Sequence, residues 1–384
     1  MDFQFNPEQT QFAEALQRWA ARDYGFEARR AIIHSPEGTS DAAWATLAEL
    51  GMTALPVPEA HGGFAGTAID MFAVMQELGR KLVVEPFFAT MFGAEFLRLA
   101  GSHGGLLERV AAGDLKLACA LGERGSRHDM FDISTRAEPI DCGAESGWLL
   151  NGEKTAVIHG AQAGALVVSA RSGEGIALFV LPADTPGIAI HDQRTLDGLR
   201  AASVRFENVA VPASSLLGAA GEGGAILDAA LDYGAGLLCF EALGAMEALF
   251  AATLDYLKTR RQFGVPIGKF QVLQHRMADM VIHLEQARSM ALLAAVKLAE
   301  AQLDARRAGE RRGAVSAAKY RINLAARFVG QQAVQLHGGM GVTDELPASH
   351  YFKRLAMIEL TLGDADHHLA RFIAQPGFAE VEAA

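Results

Sequence analysis

Apolar positions along the chain change period twice. From Asn6 to about Gly113 they recur at helical spacing. Phe12, Leu16 and Trp19 fall on one face, and Ala43 to Leu50 repeats the pattern. Met71, Val74, Met75 and Leu78 line one side of a helix expected over Ile69–Lys81, with methionine read as core filler. Pro56, Pro58, Gly62 and Gly63 mark an irregular segment between helices. Near Leu115 the period shortens. Leu117–Leu121, Gly147–Val157, Ala165–Ala170, Ile176–Leu181 and Ala202–Phe206 read as short strands, punctuated by Gly, Asp and Pro. Asn151–Lys154, NGEK, reads as a hairpin turn, because Asn-Gly suits a two-residue loop at positive φ. After Pro212 the helical period returns. It predicts helices at Ile226–Thr259, Phe270–Arg307, Gly313–His337 and Pro347–Leu360, and a last one from Asp366. The layout is mainly α with a central β domain: a helical domain over 1–114, a small β barrel or sandwich over 115–215, and a four-helix bundle domain over 216–384.

Composition narrows the class. A chain of 384 residues holds two or three domains, and 50% hydrophobic with 21% charged residues is globular. A net charge of -11 argues against a nucleic-acid partner, since phosphate binding needs basic surface. Cys119, Cys142 and Cys239 form no CxxC, which fits a reducing compartment and predicts neither disulfide framework nor metal site. The start, MDFQFNPEQTQF, lacks a basic region followed by an apolar run, so no signal peptide is expected. Acidic residues such as Asp232 and Glu241 interrupt the longest apolar runs, so no membrane span is expected either. Together these features predict a cytoplasmic protein without integral membrane contact.

Two stretches carry candidate chemistry. Thr259 to Met280 reads TRRQFGVPIGKFQVLQHRMADM. Lys258, Arg260 and Arg261 fall in the last turn of a helix, where cations suit the dipole. Gly264 breaks that helix and Pro266 delays the next, so Arg260 and Gln262 are expected at a corner with Phe263 wedging the turn. A fixed Arg beside amide donors suits a phosphate or pyrophosphate; a capped turn between core helices is the alternative. Gln335 to Glu345 reads QLHGGMGVTDE, where Gly338, Gly339 and Gly341 let the backbone approach a ligand or another chain. The glycines of Gly218–Gly224 lack a βαβ setting and are not read as a dinucleotide loop.

Together the two stretches resemble the acyl-CoA dehydrogenase family, and the likeness runs from NPEQ through LARF, nearly end to end. The resemblance implies the three-part fold above and an FAD bound between two subunits. It places Arg260, Gln262, Phe263, Gln271, Gln335, Gly338 and Gly339 on the ADP half of the cofactor. It implies an acyl-CoA substrate, desaturated as a carboxylate removes the α proton and the flavin accepts the β hydride.

The chain departs from the family at the reacting end. The carboxylate that usually precedes a Gly-Thr falls on Gly363 in the ungapped match and on Leu362 after a one-residue shift. The second common site, on the first helix of the last domain, falls on Gly234, and an Arg that often follows is Ala235. On the flavin-ring side, Leu121-Gly122-Glu123-Arg124 replaces a Thr-Glu-Pro, and Ala156–Gly160 replaces a Trp-bearing strand. Gly122 and His159 are the ring-side candidates, with His159 either bonding the ring or serving as an ordinary surface or core histidine. Asp364 is the candidate base, with an N-cap for the last helix as its other role; Asp366 and Glu241 rank below it. Adjacent His367 and His368 point to different helix faces and do not suggest a shared metal.

A chain that keeps the ADP corner and loses the base resembles the small subunit of pimeloyl-CoA dehydrogenase. Paired enzymes of that kind act on bulky steroid or cyclic acyl-CoAs. The resemblance therefore implies an FAD-dependent acyl-CoA dehydrogenase, as a homo-oligomer or with a large subunit. The alternatives are a non-catalytic subunit completing a partner's FAD site, and an oxygen-using flavoenzyme, which no particular residue supports.

Overall fold

A computed structural model of the chain describes residues 5–142, 145–219 and 221–376. The side chain of Cys142 and residue Ala220 of the Gly218–Gly224 segment lie outside it. Six helices come first: α1 (Pro7–Asp23), α2 (Phe26–His34), α3 (Asp41–Glu49), α4 (Ala68–Lys81), α5 (Phe87–Ala100) and α6 (Gly104–Ala111). α1 starts where the Asn6 side chain accepts the Gln9 N–H at 2.8 Å and Gln9 accepts the Asn6 N–H at 2.9 Å. This reciprocal box satisfies donors that the first helical turn leaves open. Thr67 and Asp70 start α4 in the same way.

Seven strands follow: β1 (Leu117–Ala120), β2 (Arg136–Cys142), β3 (Glu145–Ile158), β4 (Ala165–Ser172), β5 (Gly175–Pro182), β6 (Ile188–Arg194) and β7 (Arg200–Pro212). They form one sheet in the order β1-β4-β2-β3-β7-β6, with β5 antiparallel to β4. Then come α7 (Gly223–Thr259), the short strands β8 (Arg261–Gln262) and β9 (Val265–Pro266), α8 (Gln271–Leu303), α9 (Ala308–His337), α10 (Pro347–Leu360) and α11 (Ala365–Ile373). The chain divides into two compact units, one of residues 1–29, 67–83 and 235–384, the other of 30–66 and 84–234.

The sheet unit is built on one apolar cluster that includes Leu150, Val157, Leu166, Val168, Phe179, Val204 and Phe206. A charged pair is sealed into it. Lys154 is fully buried and donates to Glu123 Oε1 at 2.8 Å, Ser169 Oγ at 3.0 Å and the Leu121 carbonyl at 3.1 Å. Glu123 also accepts from the Thr135 hydroxyl at 2.7 Å and the Ser134 N–H at 2.7 Å. Burial pushes the Glu123 carboxyl up, but hydrogen bonds from Lys154 and Thr135 outweigh it and bring the pKa down to about 2. Burial brings the Lys154 ammonium down to about 8 against the pull of Glu123.

In the helical unit, α9 packs on α8, α10 and α11. α4 and α7 approach until their backbones touch. A Cβ on Gly244 would lie 1.8 Å from the Gln76 carbonyl oxygen, and one on Gly79 would lie 2.1 Å from that of Glu241. Only glycine admits that approach. Phe72 and Phe240, 4.8 Å apart, flank it, as do hydrogen bonds from Gln76 and Arg80 to Glu247. Gly236 is tight as well, with a Cβ falling 2.4 Å from Leu298 Cδ1.

Three expectations are corrected. Asn151-Gly152 is not a hairpin turn: it lies inside the 14-residue β3, at a register shift against β7. The extra residue lies on β7, between Phe206 and Val209, where Asn208 takes φ 50°, and Asn151 stays paired with Arg136 of β2. β2 and β6 went unpredicted because β2 carries Pro139 and β6 is an edge strand with mostly exposed residues. Finally, α7 is long and apolar enough by length and composition to cross a membrane, although Asp232 and Glu241 lie in it. Two thirds (67%) of its most apolar window is buried within the protein, as in a core helix.

Two outcomes test this packing. Gly244→Ala lowers the unfolding free energy by about 3 kcal/mol or more, since neither backbone can yield. Gly309→Ala, on an open face of α9, raises it by about 0.5–1 kcal/mol; urea denaturation measures both. Glu123→Gln costs about 3–5 kcal/mol at pH 7 because Lys154 is left buried without its carboxylate. A depressed carboxyl contributes fully above its unfolded value, so the gap between wild type and variant closes as pH falls from 4.5 towards about 2. The Glu123→Leu/Lys154→Met pair recovers most of the loss.

Candidate functional site

α7 ends at Thr259, with the Arg260 N–H bonded to the Tyr256 carbonyl at 2.8 Å. The Ile267 N–H returns to the Arg260 carbonyl at 2.9 Å, so the residues between form a closed excursion. Arg261 pairs with Pro266 and Gln262 with Val265, and Phe263-Gly264 turn the hairpin at φ 54° and 81°. Two successive positive φ values define a type I′ turn. Phe263 was expected to wedge a corner; instead it stands at the hairpin tip, 90% exposed, its ring 5.9 Å edge-on from Phe270. Arg260, Gln262, Gln271 and Gln335 are all exposed. The side chains of Arg260, Gln271 and Gln335 bond no other described residue, while Gln262 reaches only the Arg261 carbonyl, at 2.7 Å.

The glycine turn follows α9, whose end touches the last turns of α7. α9 closes at His337, whose ring stacks on Tyr256 at 4.5 Å, and the Tyr256 hydroxyl donates to the His337 carbonyl at 3.3 Å. Arg276 Nη1 donates to Gln332 Oε1 at 2.7 Å, which ties α8 to the last turns of α9. Gly338 takes φ 61°, ψ −144°, a conformation essentially reserved for glycine. A Cβ on Gly338 or Gly339 would meet nothing within 4 Å, whereas one on Gly341 would strike the Val334 carbonyl at 2.5 Å. Gly341 is packed and the first two glycines face open space. The Tyr256–His337 stack and the Arg276–Gln332 bond thus join the helix ends that carry the residues expected at the ADP half. A guanidinium, amides and open backbone form a donor set that fits a diphosphate.

The ring-side candidates lie in the sheet unit. The Gly122 carbonyl accepts the Thr155 N–H at 2.8 Å. His159 is buried, takes φ 55°, and its N–H bonds the Arg200 carbonyl at 2.9 Å. It is not a surface histidine.

The turn from Ile358 to Asp364 is held from within. Lys319, fully buried on α9, donates to the Ile358 carbonyl at 2.7 Å, to Asn323 Oδ1 at 3.0 Å and to the Gly363 carbonyl at 3.3 Å. Asn323 Nδ2 reaches the Gly363 carbonyl at 3.3 Å. Burial holds the Lys319 ammonium down to about 8. Gly363 sits at φ 107°, and a Cβ there would fall 2.5 Å from His367 Cδ2 and 2.7 Å from His368 Nε2. Asp364 caps α11, accepting the His367 N–H at 2.9 Å. Asp366 is exposed in the first turn of α11. Glu241 is sealed in a two-bond pair with Arg354 at 2.6 and 2.7 Å, both side chains about 5% exposed. His367 and His368 stand edge to face at 5.1 Å, and among the described residues no three His, Cys, Asp or Glu side chains group to hold a metal.

Sequence reasoning missed Lys319. Its signal was a lone lysine within the apolar stripe Val315, Ala318, Ile322 and Val329, where a charge needs a buried acceptor.

Comparison with known proteins matches three domains of one family to this chain. The acyl-CoA dehydrogenase N-terminal domain covers residues 6–104, the middle domain 118–209 and the C-terminal domain 221–375. The mitochondrial short-chain specific acyl-CoA dehydrogenase of Mus musculus is 30% identical over 337 residues, 83% of this chain and 78% of that protein. Among solved structures, the ChsE4-ChsE5 complex from Mycobacterium tuberculosis superposes with a TM-score of 0.87 at 26% identity, covering all of both chains. PigA in its FAD complex superposes with a TM-score of 0.88 at 25% identity, covering 99% of this chain and all of that one. With its helical, sheet and helical segments matched in order, the chain belongs to the acyl-CoA dehydrogenase family.

Proposed function

We propose that the chain is a subunit of an FAD-dependent acyl-CoA dehydrogenase that introduces the α,β double bond of an acyl-CoA thioester. The observation that carries this reading is the exposed Arg260 at the end of α7 and the open Gly338-Gly339 turn at the end of α9, two helix ends joined by the Tyr256–His337 stack. Arg260, Gln262, Gln271, Gln335 and the glycine backbone would hold the ADP half of FAD, with Phe263 against the cofactor or a neighbouring subunit. Gly122 and His159 remain the ring-side candidates. When bound, FAD supplies the hydride acceptor; the chain's own task is to orient the nucleotide and hold the proton acceptor.

Asp364 is the proton acceptor we propose within this chain. The second reading is a subunit whose partner brings the carboxylate. It is favoured by Asp364's role as a helix cap and by the sealing of Glu241 against Arg354. A solved relative that is a complex of two different chains supports an assembly of this kind. A large dehydrogenase subunit and a bulky or dicarboxylic acyl-CoA, as in pimeloyl-CoA dehydrogenase, are the partner and substrate we propose. A cytoplasmic location completes the reading.

Arg260→Met weakens FAD binding by about 10- to 100-fold, the loss of one or two charged hydrogen bonds, while the melting temperature holds; titration of flavin-free protein checks both. Asn caps a helix as well as Asp does, so Asp364→Asn removes the charge and keeps the fold. If Asp364 accepts the proton, the variant slows flavin bleaching by acyl-CoA by about 100-fold or more. Unchanged bleaching assigns the proton to a partner chain.

A further inference from the structure

The exit of the glycine turn rests on a buried pair. His350, in the first turn of α10, is 3% exposed, and Arg29, on α2, is 1% exposed. Arg29 Nη1 lies 2.9 Å from His350 Nδ1, and its Nε donates to the Leu82 carbonyl at 2.7 Å. A guanidinium only donates, so Nδ1 is the acceptor and the imidazole proton sits on Nε2. Nε2 donates to the Asp344 carbonyl at 3.1 Å. Phe26 packs edge-on against the ring at 4.9 Å. The neighbouring Ser349 hydroxyl donates to the Thr343 carbonyl at 2.6 Å. Residues 343–346, held in this way, follow directly on Val342, where the glycine turn ends. The entry is fixed by Tyr256 on His337, so the open glycines hang between two posts.

We propose that His350, neutral and paired with Arg29, is a positioning residue that fixes Gly338–Val342 in the shape that receives the nucleotide end of the cofactor. The cofactor part rests on the proposed function; the shape of the turn does not. The charged groups facing the ring are Arg29 from α2, Asp344 from the loop and Lys353 from α10 itself. Protonation would remove the acceptor for Arg29 and set a second positive charge beside it. Burial is the chief cause holding the His350 pKa below the ordinary histidine value, with Arg29 and Lys353 adding to it against Asp344. A lowered histidine pKa leaves stability whole above the unfolded value of 6.5 and erodes it as pH falls below.

Hydrogen exchange of the 338–346 segment, corrected for intrinsic rates, tests the proposal alongside FAD titration. His350→Phe keeps ring volume and removes both bonds. We expect it to speed exchange in 338–346 by about tenfold or more, to weaken FAD by a similar factor, and to leave the middle of α8 unchanged. His350→Gln restores an acceptor and a donor on one planar group without titrating. It keeps wild-type exchange at pH 7 and abolishes the rise that wild type shows on going to pH 5. Wild-type exchange in His350→Phe, or the same pH 5 rise in His350→Gln, overturns the proposal. Faster exchange with unaltered FAD affinity overturns its cofactor part, provided that Arg260→Met weakens FAD. If Arg260→Met leaves FAD binding untouched, the cofactor site itself is misplaced, and the exchange results alone decide the positioning role.

Discussion

One buried ammonium group governs the end of the helical unit. The last carbonyls of a helix have no partners within it, and a cation there meets both the hydrogen-bonding need and the dipole. Lys319 does this for α10 from the interior of α9 and reaches past the helix end to the Gly363 carbonyl. Among the described residues no carboxylate bonds it directly; its acceptors are three backbone carbonyls, of Ile358, Glu359 and Gly363, and the Asn323 amide oxygen. A charge so enclosed must keep every acceptor or lose several kcal/mol of solvation without return. The turn from Thr361 to Asp364 therefore has little freedom, and the cap on α11 and the stacking of His367 and His368 against Gly363 follow from it.

The same unit treats its two candidate ends differently. At the proposed nucleotide corner, donors stay exposed and glycines stay open. At the turn where the family carries its carboxylate, left-handed backbone at Leu362 and Gly363 and two imidazole rings close the space around position 363. Glu241, the other carboxylate of interest, is spent on Arg354. Under the proposed function, one chain lends a cofactor grip, and the proton chemistry depends on Asp364 or on a neighbour.

Much of this was legible in the sequence, and the limits have physical reasons. Period 3.6 and period 2 each reflect one buried face, so the long helices and the alternating strands could be read directly. β2 and β6 escaped because Pro139 and an exposed edge mask the alternation. NGEK misled because local turn propensity lost to the pairing of β3 with β2 and β7 on its two sides. The exposed corner could be singled out because Arg, Gln and paired Gly stand together at breaks in the helical period, although its hairpin was not foreseen. Lys319 to Ile358, Arg29 to His350 and Glu241 to Arg354 are buried polar bonds between residues distant in sequence, and no local window contains both partners.

Phe263 has a further consequence. An aromatic residue in left-handed backbone carries a conformational cost, and at 90% exposure it adds an apolar knob to the surface. The exposed ring is relieved only when another molecule covers the tip; the backbone cost stays. Under the proposed function, a cell that makes this chain in excess of the subunit covering that tip accumulates an adhesive orphan, exposed to chaperones and proteases. Matched synthesis, more than the strength of any single contact, would set how much of it survives.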